Sequence, residues 1–181
     1  MTPGQVAGPG VGQGEATSLA DVIRFVSARL AAAGVPSPDH DALALLAHAS
    51  GTTTGQVRTA AARGDAVPSA DVLETLERDV ARRLEREPLQ HITGRAPFRT
   101  LDLEVGPGVF VPRPETELVS GQAIDAIKRL GASRVADLCA GSGAIALSLA
   151  SETHAHVWAV ELDRRAVPYL ERNRGALPPE V

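Results

Sequence analysis

The sequence predicts an α/β protein in which a small helical bundle precedes a parallel sheet with crossover helices. Three observations support this prediction. Apolar residues recur at helical spacing over residues 18–87, the spacing then changes to strand-like alternation, and helices alternate with short apolar strands over residues 115–181. A chain of 181 residues, of which 44% are hydrophobic and 22% charged, can bury a core in one domain or in two small ones.

The net charge and the single cysteine argue against some classes of partner and of cross-link. A formal net charge of −4 gives no general reason to expect a nucleic-acid ligand, which usually requires a basic face. No run approaches the roughly 18 apolar residues of a membrane helix, and the N-terminus lacks a secretory pattern. Cys139, the one cysteine, excludes an intrachain disulfide. We therefore expect a cytoplasmic protein with a protein or small-molecule partner and no direct contact with nucleic acid or membrane.

The N-terminal part is predicted to be a tail followed by four helices. Residues 1–17 are rich in glycine and proline and offer almost nothing apolar to bury, so we expect them to be disordered. Ser18 and the pair Ser37-Pro38 are good helix starts, because a serine can cap a helix and proline suits its first turn. The helical domain, residues 18–87, is predicted to contain helices over residues 18–33, 37–50, 54–62 and 69–87.

Residues 88–114 are predicted to form a β-hairpin linker. Leu101, Leu103 and Val105 alternate with acidic residues before a Gly-Pro-Gly break. The rest of the chain is predicted to begin a parallel sheet, with Trp158 in its core. Since such a sheet normally has about five or six strands and only two are predicted, we expect an incomplete domain. Its elements are a helix over 115–130, a strand over 134–138, a helix over 144–151, a strand over 156–161 and a helix from about 164.

A glycine-rich turn between the first of these strands and its helix is the candidate cofactor site. Glycines let a backbone approach a ligand closely, and the helix start offers unpaired N–H groups. Glu161, at the end of the next strand, can accept hydrogen bonds from both hydroxyls of a ribose. A nucleotide-like cofactor is therefore predicted. The turn reads Asp137, Leu138, Cys139, Ala140, Gly141, Ser142 and Gly143.

Two cofactors fit this spacing. Gly141, Gly143 and Ala146, with an acid after the next strand, also match a dinucleotide fingerprint. Asp137 favours S-adenosylmethionine, because a carboxylate suits ammonium and sulfonium charges and would repel a pyrophosphate. An NAD-binding oxidoreductase and a non-catalytic interaction module built on the helices remain as alternatives. His154 and His156 lack further ligands in register, so we expect no metal.

The residues upstream of the turn resemble those of a known family. The stretch Pro88-Leu89-Gln90-His91-Ile92-Thr93-Gly94 and the hexapeptide Pro112-Arg113-Pro114-Glu115-Thr116-Glu117 are similar to the segment that precedes the cofactor loop in HemK/PrmC-type release factor glutamine methyltransferases. The resemblance covers nearly all of residues 18–175, and the hexapeptide is specific to the family.

This resemblance implies a helical domain that helps dock the substrate, followed by the start of a Rossmann-like class I methyltransferase domain over residues 115–181. It implies S-adenosylmethionine as cofactor and, as substrate, the glutamine of the Gly-Gly-Gln loop in peptide chain release factors. The ribose would be held by Glu161, and the methionine moiety would be wrapped by Cys139, Ala140, Gly141, Ser142 and Gly143. The site would be bordered by Phe110, Pro112 and Arg113.

One departure from the family concerns the reacting glutamine. Family members bind it with an Asn-Pro-Pro-Tyr motif on a later strand, and these 181 residues contain no such motif. We therefore expect a truncated domain whose catalytic residues are unknown and which does not transfer methyl groups alone. Methyltransferases that act on adenine in nucleic acid share the motif, but the acidic balance and the hexapeptide argue against that class.

Overall fold

The computed structural model describes residues 18–66 and 68–178 and divides into two compact units, Met1–Thr93 and Gly94–Val181. The tail predicted over residues 1–17 lies outside the described residues. Across those residues the chain is α/β, with eight helices and two two-stranded sheets. None of the described helices is both long and apolar enough to cross a membrane.

The first unit is helical. Ser18 caps the first helix in a reciprocal capping box with Asp21, and Thr53 caps the third in the same way with Gln56. The four helices predicted from the spacing are all present, and a short fifth one follows them. The helices are α1 Leu19–Ala32, α2 Pro38–Ala49, α3 Thr54–Ala62, α4 Ala70–Leu84 and α5 Leu89–Thr93.

The core of the first unit lies where the apolar faces of these helices meet. Ile92 of α5 is buried in the same cluster, so the beginning of the predicted linker 88–114 belongs to this unit. A buried ion pair joins α2 to α4, since Arg83 Nε donates to Asp41 Oδ2 at 2.8 Å and the two side chains are only 14% and 6% exposed. The largest fully buried apolar residues of this unit are Val22, Val26, Leu30, Leu45, Leu46, Leu76 and Val80.

The second unit contains the strands. An antiparallel hairpin is separate from a parallel pair of strands, which a helix connects. The parallel register sets Leu138 opposite Val160, so both strands end at the same edge of the sheet. The elements are β1 Arg95–Phe98, β2 Leu101–Glu104, α6 Pro114–Leu130, β3 Arg134–Leu138, α7 Ala144–Glu152, β4 His156–Val160 and α8 Val167–Gly175.

The hairpin is part of the core of the second unit. Phe98, which is 1% exposed, packs in a cluster with Leu101, Leu103 and Leu147 of α7. Arg99, in the turn, donates two hydrogen bonds of 2.6 and 2.7 Å to the carboxylate of Glu152 at the end of α7. The hairpin predicted within residues 88–114 is therefore present, and it packs into the core of this unit.

Only one face of the parallel pair is covered by described residues. Val135 and Val157 pack on that face against apolar residues of α6 and α7. Trp158, predicted to be in the core, is 47% exposed, and this prediction was wrong. The alternation of β4 turns Trp158 to the opposite face, where its ring makes an edge contact with His156 at 4.5 Å between centroids. Pro168 lies in the first turn of α8, where it costs no helical hydrogen bond.

Replacing Asp41 with alanine would leave the Arg83 guanidinium buried without its carboxylate partner. We expect the free energy of unfolding of the first unit to fall by about 3–5 kcal/mol, the usual effect of breaking a buried ion pair. Urea unfolding followed by far-UV circular dichroism measures this. The control Asp65→Ala breaks the pair between Arg63 and Asp65, whose side chains are 64% and 42% exposed, and should change little. Equal effects of the two substitutions would contradict the prediction.

Candidate functional site

The glycine loop, residues 139–143, connects β3 to α7. The backbone amides of Cys139 and Ala140 both donate to the carbonyl of Val160, at 2.8 and 3.1 Å. These bonds continue the pairing of the two strands beyond the end of β3. As a result, the glycine loop lies beside Glu161, the residue that follows β4.

Glu161 is hydrogen-bonded directly to the glycine loop. Its Oε2 accepts a hydrogen bond from the Gly141 amide at 2.7 Å, and its Oε1 accepts one from the Asp163 amide at 2.7 Å. Backbone hydrogen bonds from Asp163, Gly141 and then Leu162 lower the pKa of this carboxyl. A carboxylate has about four lone-pair positions, so the Glu161 carboxylate keeps acceptor capacity for a hydroxyl group of a ligand.

Asp137 lies in β3, close to the start of α7. Its Oδ2 accepts a hydrogen bond from the Ala146 amide at 3.0 Å. Burial raises the pKa of the Asp137 carboxyl, the bond from Ala146 opposes that change, and the charge of Glu161 adds to it. A cationic group bound nearby would favour the ionised form and offset part of the cost of burial.

The backbone of the glycine loop is left-handed at alternate residues. Cys139, Gly141 and Gly143 have φ values of 65, 57 and 88°. A Cβ at Gly143 would lie 2.6 Å from Leu170 Cδ1 and 2.9 Å from Leu147 Cδ1, so this position also needs glycine for space. Glycine adopts positive φ at no steric cost, whereas Cys139 is strained.

The members of the glycine loop differ in exposure. Ala140, Ser142 and Gly143 are buried, whereas Gly141 is half-buried and Cys139 is exposed. Of the five residues predicted to wrap the methionine moiety, only Gly141 and Cys139 are therefore exposed enough to contact a ligand through their own surface. The buried members set the shape of the turn.

Phe110, Pro112 and Arg113, predicted to border the site, follow the hairpin. Phe110 is 69% exposed, and the Arg113 guanidinium lies 5.3 Å from the centre of its ring. The preceding Val109 is buried against Ala166, just before α8. Within the described part of the chain, no hydrogen bond or ring contact joins these three residues to the glycine loop. The structure therefore brings Asp137, Glu161 and the glycine loop together, while the bordering role of the other three stays a prediction.

Asn173 of α8 is a functional candidate that the sequence analysis missed. Its side chain is buried and contacts both the glycine loop and the hairpin, through Ser142 and Glu104. Asparagine is a poor helix former, and its place inside a helix was the one local signal that its side chain has a specific partner.

Other side-chain groups in the second unit do not add to this site. A groove of about 690 Å³ lies between α7, β4 and α8 and includes His154, His156, Glu171 and Arg174, but none of its lining residues belongs to the glycine loop. Within residues 18–66 and 68–178, no group of three or more histidine, cysteine or acidic side chains is placed to hold a metal ion.

Comparisons with known proteins point to one family. Residues 21–94 match the family described as PrmC N-terminal domain, and residues 89–180 match the family described as Conserved hypothetical protein 95. A release factor glutamine methyltransferase of Streptomyces coelicolor is 52% identical over 158 residues, which are 86% of this chain and 53% of that relative.

Two further relatives with the same name agree. The protein of Bifidobacterium longum is 46% identical over 158 residues, covering 86% of this chain and 54% of that relative. The protein of Mycolicibacterium smegmatis is 42% identical over 172 residues, covering 91% of this chain and 57% of that relative. The chain thus spans about half the length of the curated relatives it matches.

Gly143→Ala tests whether the glycine loop needs both positive φ and space. We expect it to lower the free energy of unfolding of the second unit by roughly 2–5 kcal/mol, because a left-handed alanine costs about 1–2 kcal/mol and overpacking adds about 1–3. The control Gly131→Ala has a φ of 62° but nothing within 4 Å of its Cβ, so it should show the first cost alone. Urea unfolding followed by Trp158 fluorescence measures both. Equal losses would show that space at Gly143 is not limiting.

Proposed function

The chain belongs to the family of release factor glutamine methyltransferases, and from this membership we propose that its second unit binds S-adenosylmethionine. The parallel pair β3 and β4, with α7 between them, would then be the beginning of a Rossmann-like class I methyltransferase domain. The cofactor would lie at the edge of the sheet where both strands end, in keeping with the general position of ligands in open α/β sheets.

The observation that carries this proposal is the hydrogen bond between Gly141 and Glu161. It fixes an ionised carboxylate beside a tight turn, and the acceptor capacity that remains on this carboxylate suits a hydroxyl group of an adenosyl ribose. Cys139, Ala140, Gly141, Ser142 and Gly143 would wrap the methionine moiety.

Asp137 supports the same cofactor over a dinucleotide. Its carboxyl is partly buried beside the start of α7, where a positively charged ligand group would stabilise the ionised form. A pyrophosphate in the same place would meet both this carboxylate and Glu161. S-adenosylmethionine carries ammonium and sulfonium charges and no phosphate, so the electrostatics favour it.

The names of the relatives state that they methylate a glutamine of release factors, and we propose the same substrate for this chain. The partner would be a peptide chain release factor, with the glutamine of its Gly-Gly-Gln loop as methyl acceptor. The helical first unit would help dock this protein, and Phe110, Pro112 and Arg113 would border the reacting centre. A cytoplasmic location goes with such a partner and with an exposed, unpaired Cys139.

The chemistry would depend on positioning. An amide nitrogen is a poor nucleophile, whereas the bound cofactor supplies an activated methyl group. The residues of this chain would hold the ribose and the methionine moiety so that the methyl group faces the incoming glutamine, and alignment of this kind can lower a barrier by several kcal/mol. In the family, acceptors for the glutamine amide lie on an Asn-Pro-Pro-Tyr motif, and the 181 residues do not contain this motif.

Calorimetric titration with S-adenosylhomocysteine tests the cofactor proposal. We expect saturable binding that Glu161→Ala weakens by roughly 10- to 100-fold, because a hydrogen bond to a charged group contributes about 1.5–3 kcal/mol. Asp163→Asn is the matched control, since it removes a nearby charge and keeps the backbone amide that donates to Glu161. It should bind like the unchanged chain.

NADH, titrated in parallel, separates the two cofactor classes. We expect no binding of NADH. Saturable binding of NADH without binding of S-adenosylhomocysteine would overturn the assignment and favour the oxidoreductase reading.

A polypeptide of these 181 residues should not methylate a release factor by itself, because it contains no Asn-Pro-Pro-Tyr motif. Mass spectrometry of the Gly-Gly-Gln peptide after incubation with S-adenosylmethionine measures this. The Streptomyces coelicolor relative serves as the positive control under the same conditions. Methylated glutamine above the enzyme-free background would refute the prediction.

A further inference from the structure

The Asn173 side chain lies inside the second unit with three of its four hydrogen-bonding positions in use. It is 4% exposed. Its Oδ1 accepts from the Glu104 amide at 2.6 Å, while its Nδ2 donates to the Glu104 carbonyl at 3.0 Å and to the Ser142 carbonyl at 2.9 Å. One amide group therefore connects α8, the end of β2 and the glycine loop.

We propose that Asn173 is a positioning residue that holds the glycine loop in the shape that binds the cofactor. The affinity part of this inference rests on the proposed function, whereas the part that concerns the shape of the loop does not. Asn173 would touch no atom of the ligand itself, and it would act through the Ser142 carbonyl.

The planarity of the peptide bond explains how one contact can fix the turn. The Ser142 carbonyl and the Gly143 amide belong to one rigid plane, so the bond from Asn173 orients the Gly143 amide as well. That amide donates to the Ala140 carbonyl at 2.8 Å. The Ala140 carbonyl shares its own plane with the Gly141 amide, which Glu161 holds at 2.7 Å. Asn173 thus holds the peptide plane between Ser142 and Gly143, and Glu161 holds the peptide plane between Ala140 and Gly141.

The middle plane of the turn is left without a partner. Among the described interactions, neither the Gly141 carbonyl nor the Ser142 amide makes a hydrogen bond. Because its two neighbouring planes are held, this plane can turn only about the axis that joins the Cα atoms of Gly141 and Ser142. Loss of the Asn173 contact would remove one of these two restraints and let the turn between Gly141 and Gly143 move more freely.

Two substitutions test the inference. Asn173→Asp keeps the size of the side chain and an acceptor for the Glu104 amide but loses both donors, and Asn173→Ala loses all three bonds. In each, we expect the Gly141 and Gly143 amides to exchange with solvent at least roughly tenfold faster, since local opening becomes easier. The affinity for S-adenosylhomocysteine should fall about tenfold, as expected for the loss of a buried hydrogen bond. Far-UV circular dichroism and Trp158 emission should stay unchanged.

Arg172→Ala is the matched control. Arg172 also joins α8 to β2, through a 2.8 Å bond from its Nε to the Glu104 carboxylate, but it has no described hydrogen bond to the glycine loop. It should leave both the exchange rates and the affinity unchanged, whereas a merely structural link between α8 and the hairpin would make it behave like the Asn173 variants.

The outcomes separate this inference from the proposed function. If the unchanged chain does not bind S-adenosylhomocysteine, the cofactor proposal fails, and the exchange rates of the loop amides alone decide the role of Asn173. Exchange rates like those of the unchanged chain in a folded Asn173→Asp variant would overturn the inference. Failure of both Asn173 variants to fold would also overturn it, because Asn173 would then support the whole unit rather than the loop.

Discussion

The parallel pairing of β3 with β4 is the constraint on which the candidate site depends. Its register sets Leu138 opposite Val160, so the chain leaves both strands at one edge. The Cys139 and Ala140 amides then converge on the Val160 carbonyl, and Gly141 meets Glu161. A register slip of one residue would turn the side chains of β4 to the opposite faces and would separate the carboxylate from the turn.

Local patterns explain what the sequence could predict. The helices of the first unit follow from apolar spacing and from caps such as Ser18. The glycine loop and Glu161 could be predicted because their residue types and spacing are typical of a site for a nucleotide-like cofactor. Trp158 was placed wrongly because alternation shows which residues share a face but not which face is covered. The helix Leu89–Thr93 was missed because five residues are too few to show a helical period.

Asn173 shows a different limit of sequence reasoning. Its partners Glu104 and Ser142 are 69 and 31 residues away, so no spacing relates them to it. Such a contact appears only after the hairpin, the turn and α8 have been packed together. The hydrophobic pattern determines that packing, because Phe98 and Leu103 of the hairpin share a cluster with Leu147 of α7. The polar contact then settles the detailed geometry, which hydrophobic burial alone leaves undetermined.

The two acidic residues of the candidate site have opposite environments although each lies at or near the end of its strand. Backbone amides surround the Glu161 carboxyl and lower its pKa, whereas burial raises the pKa of Asp137. Glu161 is therefore an ionised acceptor before any ligand arrives, while a bound cation would be needed to stabilise the charge of Asp137 further. The strain at Cys139 persists because bonds from Val160 and Glu161 hold the turn on both sides of it. A ligand would thus meet a loop already ordered, and little of its binding free energy would be needed to shape the site.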